Sequence, residues 1–208
     1  MNTRFEPLPR GRHGLTREQV RDSQRARLLL GMAETVAARG YPRATVADVL
    51  KRVHVSRETF YQHFADKEDC FLAVLDESAL LLANTVAAGT GPADLPVLAR
   101  LDRLLTTYFA ALTENAPFAH VFFVESQAAG LRAHQKRIEV QERFVALVIA
   151  TFANSREWQA MPDPEFACRI LVGGISSLVS AALVKGETER LPEMAPKLVR
   201  LFEQLVHH

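Results

Sequence analysis

Apolar residues recur along most of this chain with the 3.6-residue period of amphipathic helices, and no alternating strand pattern of useful length interrupts them. From Arg17 onward, Leu28, Leu29, Met32, Ala33, Val36 and Ala37 mark one face of a long helix. Gly40 suits its end, and Tyr41-Pro42 breaks it. Two very short helical segments follow. In the first, Val46, Val49, Leu50 and Val53 fall at i, i+3, i+4 and i+7 behind Thr45 as N-cap. Ser56 caps the second, which runs through Phe60 to Phe64. Asp66 then opens a long helix carrying Phe71, Leu72, Leu75, Leu80, Leu81 and Val86, which Gly89-Thr90-Gly91-Pro92 ends. Five further helices are predicted: Leu95–Thr113, Ala116–Ala129 before a break at Gly130, Leu131–Ala153, Glu165–Lys185 and about Ala195–Val206. Asp163 and Pro164 form the cap and first turn of the fourth. No repeat of 20–50 residues is evident. The predicted fold is all-α, with about nine helices.

Composition adds little until it is divided along the chain. At 48% hydrophobic and 24% charged, it is that of an ordinary globular protein and argues against extensive disorder. The formal charge is +1, but residues 1–67 hold 13 Lys and Arg against 7 Asp and Glu, leaving the rest of the chain acidic. Either an anionic partner is held at the N-terminal end or the asymmetry is fortuitous. Residues 1–16 mix Pro, Gly and Arg without periodicity and read as a flexible basic arm. Cys70 and Cys168 lie far apart, outside any C-x-x-C pair, so neither a zinc site nor a disulfide framework is indicated. Each reads as a small core hydrophobe, with a redox-sensing thiol as the alternative. The first 16 residues contain no apolar segment of signal-peptide type. The longest apolar run, Ile170–Val184, is 15 residues, short of a bilayer core of about 30 Å. A cytoplasmic protein is expected.

The segment Thr45–Lys67, TVADVLKRVHVSRETFYQHFADK, carries the most specific signal. It holds two short helices joined by a three-residue turn. The second turns Phe60 and Phe64 inward and leaves Arg57, Glu58, Thr59, Tyr61, Gln62 and His63 mostly outward. This is the layout of a helix-turn-helix, in which a supporting helix holds a recognition helix against a major groove. Helices this short are unstable alone, so the long helices on either side must supply their packing.

Thr45-Val46, Val55-Ser56, Thr59-Phe60-Tyr61, His63-Phe64 and Lys67-Glu68 resemble, in order and spacing, the DNA-binding motif of the TetR (tetracycline-repressor) family. The resemblance covers roughly Arg25 to Val74. It implies a three-helix DNA-binding domain over residues 17–67 and a helical ligand-binding and dimerisation bundle over 68–208. One residue departs from the pattern: His54 stands where the family usually has Gly. His is among the few non-glycine residues that tolerate a left-handed turn.

Helix N-termini attract phosphates, which makes Thr45 and Ser56 candidate phosphate contacts. Tyr61, His63 and Lys67 are phosphate-positioning groups by resemblance. Arg57 and Gln62 suit guanine and adenine edges, and Thr59 suits a thymine methyl. Glu58 either accepts from a cytosine amino group or pairs with a neighbouring cation. For each of these side chains, a solvated surface role is the alternative. The arm residues Arg4, Arg10, Arg12, His13 and Arg17 either reach a minor groove or extra phosphates, or remain a solvated tail.

The middle of the chain is rich in aromatic residues. Tyr108, Phe109, Phe118, Phe122, Phe123, Phe144 and Trp158, with Glu125 and Gln127 among them, are the candidate ligand-binding set, with ordinary core as the alternative. The resemblance implies a pocket beneath the helix after Asp66, and an apolar or aromatic small molecule is the preferred effector. Glu165–Lys185 is apolar on nearly all faces and carries Gly173, Gly174, Ser177 and Ala181, which permit close helix approach. With Leu198 and Phe202 of the last helix it predicts a four-helix homodimer interface; a core helix of a monomer is the alternative. The function implied is that of a repressor that binds a palindromic operator as a dimer and is released by its effector. An activator, or a helical sensor or adaptor without DNA binding, are the other readings. No H-E-x-x-H, G-x-S-x-G, P-loop or G-x-G-x-x-G pattern supports an enzyme, and neither metal nor cofactor is expected.

Overall fold

The computed structural model describes residues 16–92 and 94–206. Helix α1 (Arg17–Arg39) opens on a capping box: the Thr16 hydroxyl accepts from the Gln19 N–H at 3.2 Å, and the Gln19 side chain accepts from the Thr16 N–H at 2.8 Å. Thr16, expected in the arm, therefore belongs to the helix. The arm residues Arg4, Arg10, Arg12 and His13 lie outside the described residues. α1 ends at Gly40, whose φ of 77° is a conformation that L side chains rarely adopt. A single 3-10 turn, Tyr41–Arg43, leads to α2 (Val46–Val53) and α3 (Arg57–His63).

These two helices have eight and seven residues, and tertiary packing must hold them. Phe60 and Val49 are fully buried and Phe64 nearly so, against Leu28, Leu29 and Met32 of α1. Each large side chain so buried contributes about 1.5–3 kcal/mol. α2 lies so close on α1 that a Cβ at Gly31 would stand 2.3 Å from a Val53 methyl. The Arg27 guanidinium closes the far end of α2 by donating to the Val53 carbonyl. His54 occupies the left-handed region, φ 52° and ψ 46°, and turns the chain toward α3.

α4 (Lys67–Gly89) starts at Asp66, whose carboxylate accepts from the Asp69 N–H at 2.8 Å. Cys70, Phe71, Val74 and Leu75 pack its first half into the N-terminal core, and Leu82 and Val86 pack its second half into the C-terminal helices. These are α5 (Val97–Glu114), α6 (Ala116–His120), α7 (Leu131–Phe152), α8 (Arg156–Ala160), α9 (Pro164–Lys185) and α10 (Ala195–Val206), with a 3-10 segment over Thr188–Met194. One buried cluster runs from Leu28 to Ala195, so the two regions share a continuous core along α4 and α6.

The fold is all-helical, as expected, with ten α-helices among the described residues. Two details differ from the sequence reading. The extra helix, α8, is five residues long, too short to show a period. The helix expected over Ala116–Ala129 instead passes from α6 into one π-helical turn, Val121–Glu125, closed by the Ser126 N–H donating to the Val121 carbonyl at 3.0 Å. By length and composition α4 and α9 both reach what a membrane crossing requires, although the most apolar window of α4 is 50% buried within the subunit and that of α9 only 22%.

Two substitutions test this packing in thermal melts. Gly31→Ala should lower Tm by several degrees, because overpacking costs about 1–3 kcal/mol and better helix propensity recovers at most about 1 kcal/mol. His54→Gly should leave Tm unchanged or raise it, because relief of left-handed strain offsets the added unfolded-state entropy. A clear fall for His54→Gly would show that the imidazole stabilises the turn in some further way.

Candidate nucleic-acid interface and ligand cavity

The outward face of α3 is built by the burial of its other side. With Phe60 and Phe64 turned into the core, Arg57, Glu58, Tyr61 and Gln62 are exposed, Tyr61 to 47%. Arg57 and Tyr61 are one turn apart. The guanidinium sits 5.6 Å from the ring centroid and donates to the phenol oxygen at 3.4 Å.

The expected phosphate ligands at the two helix starts are engaged locally. The Thr45 hydroxyl donates to the Asp48 carboxylate at 2.6 Å, which holds that carboxyl below the usual carboxylate range. The Ser56 hydroxyl accepts from the Thr59 N–H at 3.0 Å and shares a second hydrogen bond with the Thr59 hydroxyl at 2.8 Å. His63 is half-buried. Burial, then the charges of Arg21 and Arg25, push its pKa below the ordinary histidine value, so the ring is neutral at neutral pH. Arg21 and Arg25 of α1 thus stand beside the recognition helix, Arg25 over the Phe64 ring at 5.5 Å. The sequence reading missed both, though Arg17, Arg21 and Arg25 recur at four-residue spacing and so share a helix face.

Lys67 is turned inward. Its ammonium donates to the carbonyls of Tyr41 and Ala44 at 3.0 and 3.1 Å and lies 4.1 Å from the Tyr41 ring centroid. Two of its three donors therefore hold the turn that delivers α2, leaving one for another partner.

A cavity that opens to solvent lies beneath α4, among α5, α7, α8, α9 and α10. Of the expected ligand set, Tyr108, Phe122, Phe123, Phe144 and Trp158 line it. The other four do not. Phe109 is fully buried core. Phe118 borders a smaller hollow under α4 with Leu112 and Ala119. Gln127 is exposed on the turn after the π-helical segment. Glu125 points toward α1. Leu198 and Phe202, expected on the dimer face, instead line the cavity, because α10 lies against α5 and turns them inward. The polar groups on the lining are few, chiefly Gln141, Ser176 and the Tyr108 hydroxyl. Burial pushes the Cys168 thiol up to about 11, so it lines the wall as an uncharged group.

The remaining dimerisation candidates lie on the open side of α9. Gly174, Ser177 and Ala181 are exposed there and Gly173 is half-buried, flanked by Phe166 and Ile170 (each 60% exposed), Leu178 and Val184. A Cβ built at Gly173 or Gly174 meets nothing within 4 Å.

Glu125 joins the cavity to the N-terminal helices. Phe122 and Phe123 line the cavity, and Glu125, in the same π-helical turn, accepts from the Tyr41 N–H at 2.7 Å. The His120 ring lies 3.6 Å from the same carboxylate. Such π-helical turns are frequent at functional sites.

A helix-turn-helix with an exposed recognition face is thus set on a helical body with an apolar cavity. Residues 29–74 match the family described as "Bacterial regulatory proteins, tetR family". The chain is 36% identical over 72 residues to the HTH-type transcriptional activator FasR of Mycolicibacterium smegmatis, a match covering 35% of this chain and 33% of FasR. It is 39% identical over 64 residues to the repressor AcnR of Corynebacterium diphtheriae, covering 31% and 34%. Both matches thus span about a third of the relative. A longer match, 28% identical over 165 residues, covers 76% of this chain and 70% of the regulator TcmR of Streptomyces glaucescens. Among solved structures, the fatty acid degradation regulator FadR of Bacillus halodurans shares the fold at TM-score 0.74 and 20% identity, covering 84% of this chain and 95% of that one. FadR of Bacillus subtilis, solved in complex with stearoyl-CoA, does so at TM-score 0.71 and 16% identity, covering 84% and 95%. Residues 29–74 thus match the DNA-binding domain of the tetR family, and the all-helical fold is shared with solved regulators of that family.

Glu125→Ala removes the partner of a half-buried N–H, at a cost of about 1–3 kcal/mol, and should lower Tm by several degrees. Glu125→Gln keeps an acceptor and should cost less. Equal melts for the two variants would show that the hydrogen bond to Tyr41 contributes nothing.

Proposed function

We propose that this protein is a homodimeric repressor that binds a palindromic operator through α3 and is released when an apolar small molecule enters the cavity. The single observation that carries the DNA-binding half is the recognition face: Arg57, Tyr61 and Gln62 are solvent-exposed beside Arg21 and Arg25, with nothing among the described residues packed over them. A sensor or adaptor without DNA binding would have no use for such a face. Arg57 and Gln62 are assigned to base edges, and Tyr61, His63, Arg21 and Arg25 to phosphates. The capping hydroxyls of Thr45 and Ser56 orient the N–H groups of their helices toward the backbone. Lys67 works chiefly by holding the turn before α2, with its remaining donor available to a phosphate.

The apolar stripe on α9 supports dimerisation. Phe166, Ile170, Leu178 and Val184 surround a floor of small residues, and a second copy would bury them by close helix approach. This also accounts for an apolar helix left so open in one subunit. The dimer would set its two recognition helices about 34 Å apart, one turn of DNA. An effector favouring another spacing would lower operator affinity by shifting the population of conformers. The path runs from Phe122 and Phe123 through Glu125 to Tyr41. The lining suits a hydrophobic chain or aromatic skeleton, and a shared fold with a protein solved with stearoyl-CoA is consistent with that class. The assigned roles divide the chain into residues 17–67 for DNA and 68–208 for sensing and dimerisation, in the cytoplasm with its operator.

Fluorescence anisotropy with a labelled duplex from upstream of the protein's own gene tests this reading. Specific binding is expected with Kd of about 10⁻⁸ M or tighter near physiological salt, and log K should fall steeply with log salt. Ile170→Glu should sediment as a monomer and bind at least about ten-fold more weakly, as one recognition helix cannot grip two half-sites. Equal affinity for an unrelated duplex, or tight binding by a monomer, would overturn the proposal.

A further inference from the structure

α7 carries four strongly basic side chains, and three of them are paired with carboxylates. Arg132 meets Glu68 at 2.9 Å, Lys136 meets Asp76 at 2.7 Å, and Arg143 meets Glu139 at 3.7 Å. Arg137 has no ion pair among the described residues. Its guanidinium donates to the Ser176 hydroxyl at 3.0 Å and lies 5.7 Å from the Phe122 ring centroid, and its Nε is buried with no hydrogen-bond partner. Burial disfavours its charged form and lowers its pKa from the ordinary arginine value. Arginine nonetheless stays protonated in proteins. A half-buried cation without an anion is costly and calls for a partner.

The position of this cation identifies the partner. Ser176 and Phe122, the two groups Arg137 touches, both line the cavity. So does Gln141, one turn further along the same face of α7. Gln141 and Ser176 therefore form a polar corner on an otherwise apolar wall, and Arg137 stands behind that corner, outside the lining itself, with its guanidinium on the Ser176 hydroxyl. A guanidinium fork matches a carboxylate or phosphate in a bidentate, charge-assisted way, and a neighbouring amide and hydroxyl add directed hydrogen bonds.

We propose that the effector is an anionic amphiphile: its apolar part fills the cavity and its carboxylate or phosphate head is held by Arg137, with Gln141 and Ser176 completing the site. The proposal rests on the reading of the cavity as the effector site and names the chemistry that site selects. The bound anion would neutralise Arg137 beside Phe122, in the same π-helical turn as Glu125, so head-group recognition and the signal to Tyr41 would share one segment.

Isothermal titration of the full-length protein with decanoic acid, 1-decanol and decanoyl-CoA, each below its micelle concentration, tests this. Wild type should bind decanoate or decanoyl-CoA at least ten-fold more tightly than decanol. The tighter of the two anions tells whether carboxylate or phosphate is the preferred head. Arg137→Met keeps an apolar stem on Phe122. It should abolish the preference, leave the decanol Kd within about two-fold and leave Tm unchanged or higher, since an uncompensated buried charge is removed. Equal binding of acid and alcohol by wild type, or a preference that persists in Arg137→Met, would overturn the anion site while leaving the cavity's role intact. Failure of all three compounds to bind would overturn both.

Discussion

Everything α3 presents to solvent depends on a turn of three residues, Tyr41–Arg43, that has no core of its own. The turn is held by what surrounds Tyr41. Its N–H donates to Glu125, its carbonyl accepts from Lys67, and its ring packs edge-on against Phe71 with centroids 4.6 Å apart. These partners come from the π-helical turn and from the start of α4. A short helix-turn-helix cannot choose its own orientation, because most of its stability is borrowed from flanking helices. Here the orientation is set at one backbone junction by elements that also form the wall or roof of the cavity. Under the proposed function, that shared use would carry a change in the cavity to the pose of the recognition helix without a long relay.

The N-terminal region was legible because local chemistry there agrees with the final packing. Thr45, Ser56 and Asp66 cap helices as their residue types suggest, Phe60 and Phe64 turn inward, and His54 takes the left-handed turn that glycine usually supplies. What the sequence concealed is tertiary. Gly31 looks like an ordinary interruption of a helix, and only the approach of Val53 explains it. Lys67 reads as a phosphate contact and Glu125 as a member of the ligand set, yet both hold the Tyr41 turn. No periodicity records a partner 26 or 84 residues away.

The C-terminal region follows the same logic with less local guidance. Aromatic residues were expected to form the cavity as a group, but helical phase divides them. Tyr108 faces the cavity while its neighbour Phe109 is sealed in the core. Leu198 and Phe202 look suited to a dimer face until α10 is laid against α5, after which they close the cavity. The outward stripe therefore falls to α9, whose small residues leave its centre low and its Phe, Ile, Leu and Val rim high.

In the proposed mechanism the cavity reaches the DNA-binding helices through the Tyr41 amide. The most direct test is hydrogen exchange at that one amide, followed by NMR in the intact protein with and without saturating decanoic acid. Slow exchange is expected in the free protein and a marked acceleration when the cavity is filled, with the buried amides of α4 little changed. Fast exchange in the free protein, or protection at Tyr41 that bound decanoic acid does not alter, would contradict the mechanism.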